Sequence, residues 1–163
     1  FVPAGTAGPK LDQIRACGAS VETVSGPREN AHQAALAAVE KGDRLYASHA
    51  MLPFGMAGYA TIAFEIFEAL GRLPDIVYCP IGHGSLFAGI MMGFDALVRV
   101  GLASSRPRFV GVQPEACAPV VLAWKKQPFE GSLGHSLAEG TLVESPARGA
   151  EILGLLDGDK DPN

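Results

Sequence analysis

Between Asp75 and Ile90 the chain changes period within a few residues. The apolar β-type run Ile76-Val-Tyr-Cys79 leads through Pro80 and Ile81 into the turn Gly82-His83-Gly84-Ser85, and from Leu86 onward apolar residues recur at helical spacing. A strand that runs through a glycine turn straight into a helix collects several backbone N–H groups and the positive end of the helix dipole at one point. Such a point binds an anion, above all a phosphate. The glycines let the backbone approach an oxyanion closely, and Ser85 offers a hydroxyl that can also cap the helix. A packing reading stands beside this one, because glycine-rich strand-to-helix turns also occur where the two elements press together. The turn is neither Gly-x-Gly-x-x-Gly nor Gly-x-x-x-x-Gly-Lys-Ser/Thr, so the dinucleotide and nucleoside triphosphate readings lose ground.

The same alternation recurs along the chain. Helices are predicted over 8–18, 27–42, 59–70, 86–101, 118–126 and 147–156, and strands over 20–24, 44–48, 76–79 and 108–113. Met51–Met56, with Pro53 and Gly55, reads as a loop ahead of the third helix. Leu11, Ile14 and Cys17 form the apolar face of the first helix, and Ala31, Ala35, Ala38 and Val39 that of the second. Strands alternating with helices predict βαβ units and an α/β fold, a parallel sheet covered by helices on both faces. A composition break near Met51–Gly58 marks a boundary between two lobes. The chain opens on Phe1 in what reads as the end of a strand and closes on a charged tail, so its ends read as cuts.

With 13 Lys and Arg against 17 Asp and Glu, the 163-residue chain has a formal charge of −4 and no basic run. That balance argues against nucleic acid and anionic membranes as partners. No apolar run reaches the length of about 18 residues that a spanning helix needs. Cys17, Cys79 and Cys117 are far apart and sit in apolar patterns, with no metal-ligand spacing. They read as reduced core thiols of a cytoplasmic protein.

Few other residues carry chemistry. His83 lies inside the turn, either beside the anion facing solvent or as a ligand contact or proton carrier. His49 stands at a strand end, where α/β sheets place ligand residues. His32 and His135 read as structural or solvated, and Glu65 and Glu68 as a solvated helix face. Glu139, in Leu137-Ala-Glu-Gly-Thr141, follows a glycine-rich loop and reads either as a group that reaches a site or as part of an ordinary turn. No Ser/His/Asp or Cys/His order stands out.

Taken in order, several segments resemble the fold-type II pyridoxal-5′-phosphate enzymes, the family of threonine synthase, serine/threonine dehydratase and cysteine synthase. Pro9-Lys10, Ile14 and Cys17-Gly-Ala-Ser-Val21 are similar to its lysine-bearing helix and the strand that follows. Pro53-Phe54, Ala57-Gly58-Tyr-Ala-Thr61 and Glu65-Ile66 resemble its Pro-Phe, Gly-x-x-Thr and Glu-Ile segment. Leu73-Pro-Asp-Ile-Val77 and Pro80-Ile-Gly-His-Gly-Ser-Leu86 resemble its strand and phosphate loop. Gly93-Phe94, Pro107-Arg108, Gly111-Val-Gln-Pro-Glu115 and Ala138-Glu-Gly140 continue the series over nearly the whole chain.

The resemblance implies a tryptophan synthase beta-like, three-layer fold, present in part. Residues 1–53 would be the end of the smaller lobe and 54–163 the first part of the coenzyme-binding lobe. Pyridoxal 5′-phosphate would be the cofactor, with Gly82, His83, Gly84, Ser85 and Leu86 lining its phosphate chiefly through backbone N–H groups. Glu139 corresponds to an acidic position that borders the active site in some members. The family's Schiff-base lysine lies in a Ser-x-Lys segment upstream of anything matching here, and Lys10, Lys41, Lys125, Lys126 and Lys160 do not occupy that context. The chain would supply the anchor of the coenzyme but not the base, and alone would not turn over. The implied activity is part of a lyase or synthase of amino-acid metabolism, eliminating from or replacing on a small amino-acid substrate, threonine-synthase-like. A deaminating serine/threonine dehydratase and a non-catalytic ligand-binding module of the same fold are the alternatives. A homodimer is the implied assembly.

Overall fold

The computed structural model describes residues 1–6, 8–26, 28–42, 44–48, 52–131 and 134–158. The chain divides into two compact units, 1–47 and 48–163. In the first, strand β1 (Val2–Pro3) pairs in parallel with β2 (Thr23–Val24). Helix α1 (Gly8–Ala16) joins them and helix α2 (Arg28–Glu40) follows, with Ala31 buried. Two expectations fail in this unit. No residue of α1 is buried, and Cys17 is exposed at its end, so it is not a core thiol. Residues 44–48 form no strand. Leu45 is 95% exposed, and the segment is tied by side chains instead, Arg44 to Glu22 at 3.0 Å and Tyr46 Oη to His32 Nδ1 at 3.0 Å.

The second unit begins with helix α3 (Pro53–Leu70), which starts six residues ahead of the predicted Tyr59. Proline at the first helical turn loses no needed donor and its fixed φ suits the helix. Leu52 before it is extended, at φ −67° and ψ 121°. The helix ends at Gly71 in the left-handed region, φ +66°, whose N–H reaches Phe67 O at 2.9 Å.

Strand β3 (Ile76–Pro80), helix α4 (Ser85–Arg99) and strand β4 (Arg108–Val112) form a βαβ unit, with the strands parallel from Ile76 opposite Arg108 to Pro80 opposite Val112. Helix α4 lies almost against the backbone of α3, because Gly89 and Gly93 leave no side chain between them. A Cβ at Gly89 would stand 2.5 Å from Tyr59 Cβ, and one at Gly93 would collide with Ala60 O. On its other side α4 fills the core. Phe87 and Phe94 both meet Phe109 of β4 edge-on, at centroid distances of 5.2 and 6.0 Å. Burying each of these rings contributes roughly 1.5–3 kcal/mol. Cys79, Ile81, Met91 and Ile152 complete the core. Asp95 of α4 takes Arg106 through both carboxylate oxygens, at 3.1 and 3.2 Å, which fixes the helix end to the approach of β4.

Helices α5 (Pro119–Trp124) and α6 (Gly149–Gly158) complete the unit. The Gln113 side chain joins three pieces: its Oε1 accepts from the N–H groups of Val120 and Val121 at 2.9 and 3.1 Å, and its Nε2 donates to Ile81 O at 3.3 Å. The α/β class with parallel strands is as the sequence predicts. No described helix is long and apolar enough to cross a membrane.

Candidate functional site

The turn at 82–85 is built from both sides. On entry, Ile81 N–H donates to Val112 O at 2.9 Å while Ile81 O accepts from Gln113, so strand geometry is held up to the last residue before the turn. On exit, the first backbone bond of α4 runs from Ala88 N–H to Gly84 O at 3.0 Å, which leaves the N–H groups ahead of it directed out of the helix end. Gly84 sits in the left-handed region, φ +98°. It also has no room for a side chain, since a Cβ would lie 2.9 Å from Ile152 Cγ1 and 3.1 Å from Arg148 Cβ. Both the packing and the anion reading of these glycines therefore have a physical basis here. Ser85, only 4% exposed, opens the helix, and Leu86 is half-buried against the core.

A distant segment closes over the turn. A Cβ at Gly82 would approach Gly140 O at 3.2 Å, in the short 3-10 turn Glu139–Thr141. Arg148 N–H donates to His83 O at 3.0 Å, and Ala147 N–H lies 3.4 Å from His83 Nδ1, which accepts. His83 is half-buried and is braced by these two bonds. Arg148 Nε donates to Ser85 Oγ at 3.3 Å, and its Nη1 pairs with Glu151 Oε2 at 2.7 Å. A helix start, a hydroxyl and a guanidinium at one place form a donor set suited to an oxyanion.

The structure thus brings Gly82, His83, Gly84, Ser85 and Leu86 to the C-terminal end of β3, where ligands bind in open α/β sheets. Glu139 belongs to the 3-10 turn beside Gly82, with its own side chain exposed. His49 lies outside the described residues. Glu65 and Glu68 are exposed along α3, and His32 and His135 are exposed. A surface recess of about 500 Å³ opens at the other ends of the strands, lined by Arg72, Asp75 and Arg106 among others. Its position at the N-terminal ends of β3 and β4 sets it apart from the turn. Sequence reasoning missed Arg148. Nothing in Pro146-Ala-Arg-Gly149 marks it, because its partner Ser85 lies 63 residues away.

Comparison with known proteins converges on one family. Residues 1–162 match the family described as pyridoxal-phosphate dependent enzyme. A threonine synthase of Methanocaldococcus jannaschii is 31% identical over 119 residues, covering 72% of this chain and 29% of the relative. An L-threonine ammonia-lyase of Thermotoga maritima is 29% identical over 140 residues, 84% of this chain and 33% of the relative. The processed form of threonine deaminase isoform 2 from Solanum lycopersicum superposes with a TM-score of 0.70 at 26% identity, over 87% of this chain and 40% of that one. The chain therefore spans 29% of the length of the first of these relatives and 33% of the second.

Proposed function

The chain belongs to the pyridoxal-phosphate-dependent enzyme family, and from that premise we propose that it anchors the coenzyme phosphate in an amino-acid lyase or synthase of the threonine-synthase type. The observation that carries this reading is the turn 82–86, where the α4 N-terminus, Ser85 and the left-handed Gly84 converge at the end of β3. Gly82, His83, Gly84, Ser85 and Leu86 would line the phosphate, the N–H groups ahead of Ala88 donating to its oxygens. Pyridoxal 5′-phosphate, when bound, supplies the electron sink for loss of the substrate α-proton. The chain's own residues orient and hold it. Gln113 and Ile81 fix the entry to the turn, Ile152 excludes water behind Gly84, and His83 is held by Ala147 and Arg148. Glu139 is the carboxylate proposed to border the reacting centre.

Residues 1–53 would correspond to the smaller lobe and 54–163 to the coenzyme lobe; the presence of two compact units supports two lobes, although the units divide earlier, after Ala47. A small amino-acid substrate, a cytoplasmic location and pairing with a second copy go with the reading and rest on the family resemblance. A second reading has its own support: the ammonia-lyase relative and the threonine deaminase structure both favour a deaminating dehydratase. Assaying the protein as its host produces it for threonine formation against ammonia release from L-threonine separates the two. The coenzyme reading itself is tested by titrating the full chain with pyridoxal 5′-phosphate and with pyridoxal. Preference for the phosphorylated form supports it, and equal affinity removes the turn from the site.

A further inference from the structure

Arg148 brings to the turn the charge that residues 82–86 lack, and we infer that its guanidinium is a phosphate-binding group of the coenzyme site. The inference rests on the coenzyme reading above and deepens it. A phosphate monoester carries about −1.5 to −2 charges near neutral pH, whereas a helix N-terminus offers the equivalent of roughly +0.5. The turn sequence Gly82-His83-Gly84-Ser85-Leu86 holds no Lys or Arg. The cation comes from the segment packed over it.

Three contacts fix that cation. The Arg148 backbone N–H is bonded to His83 O at 3.0 Å, its Nε to Ser85 Oγ at 3.3 Å, and its Nη1 to Glu151 Oε2 at 2.7 Å. The side chain is 20% exposed, so the group is partly withdrawn from solvent screening and anchored at both ends. Nε and Nη1 lie on different edges of the planar guanidinium, and among the described residues none takes its Nη2 donors, which leaves them for a ligand. A side chain held this way loses little freedom when an anion arrives. Glu151 is 40% exposed, so its carboxylate is better screened than the arginine it orients.

The test is a titration of the full chain, wild type and Arg148→Gln, with pyridoxal 5′-phosphate and with pyridoxal, followed by fluorescence or calorimetry. Loss of a charge-assisted contact predicts a fall of about tenfold or more in affinity for the phosphorylated ligand, with pyridoxal affinity within about twofold of wild type. Unchanged affinity for pyridoxal 5′-phosphate overturns the inference, as does an equal loss for both ligands, which would mark Arg148 as a packing residue. Should Arg148→Gln not fold, Arg148→Lys decides by the same criterion: a smaller loss confined to the phosphorylated ligand supports the role, and an equal loss for both overturns it. In either series, a wild-type chain that binds both ligands alike sinks the coenzyme reading and this inference with it. A wild type that prefers the phosphorylated form, beside a variant that keeps that preference, sinks the inference alone.

Discussion

Arg148 donates its backbone N–H to the carbonyl of His83 at 3.0 Å, joining the segment ahead of α6 to the middle of the glycine turn. The turn is therefore not a free loop on the end of β3. Its residues are held by β4 through Ile81, by Gln113, and by the Gly140 and Arg148 segments, so any ligand meets a preformed shape.

Gly84→Ala tests the backbone side of that shape. The residue sits at φ +98° and its Cβ would stand 2.9 Å from Ile152, so both conformation and space oppose a side chain. The left-handed conformation alone costs about 1–2 kcal/mol. A drop in melting temperature of several degrees is expected on thermal unfolding, at about 2–4 °C per kcal/mol.

Gly93→Val probes the contact between α3 and α4. Overpacking of this kind costs typically about 1–3 kcal/mol and more when backbone must move, and here the obstacle is the Ala60 carbonyl. Chemical denaturation should show a lower midpoint with an unchanged slope. A wild-type midpoint would mean that the two helices are not in contact at Gly93.

Gln113→Leu removes a cap made by a side chain from the strand end. The N–H groups of Val120 and Val121 and the Ile81 carbonyl lose their partner together. Each buried group left unsatisfied costs about 1–3 kcal/mol. Hydrogen exchange should accelerate at Val120 and Val121 before it does in α4.

Cys79 gives a pH signature. Burial pushes its thiol from 9.0 up to about 11. The folded state thus holds the proton through a range where the unfolded chain releases it. This group's contribution is fully present below pH 9.0 and is lost as pH rises towards 11. Stability of the wild type should fall over that window more steeply than that of Cys79→Ala. At neutral pH a thiol reagent should modify exposed Cys17 well before Cys79.

What could be read from the sequence was local. The strand, turn and helix from Ile76 to Arg99 announce themselves because period, glycines and helix start lie side by side. Residues 44–48, which read as a short strand, pair with no strand among the described residues, and side-chain bonds to Glu22 and His32 hold them instead. The start of α3 is not legible in the sequence because Pro53 and Gly55 look like a loop, although proline suits a first helical turn. Arg148 was invisible for a different reason. Its meaning lies in a contact with Ser85 across 63 residues, which no window along the chain contains.

The most direct measurement is the affinity of wild type and Gly84→Asp for pyridoxal 5′-phosphate, with pyridoxal as the reference ligand and the fold of both proteins checked by circular dichroism. If residues 82–86 hold the phosphate, a carboxylate against the anion should abolish the wild-type preference for the phosphorylated form while a folded protein remains. A folded Gly84→Asp that keeps that preference would contradict the assignment of the turn.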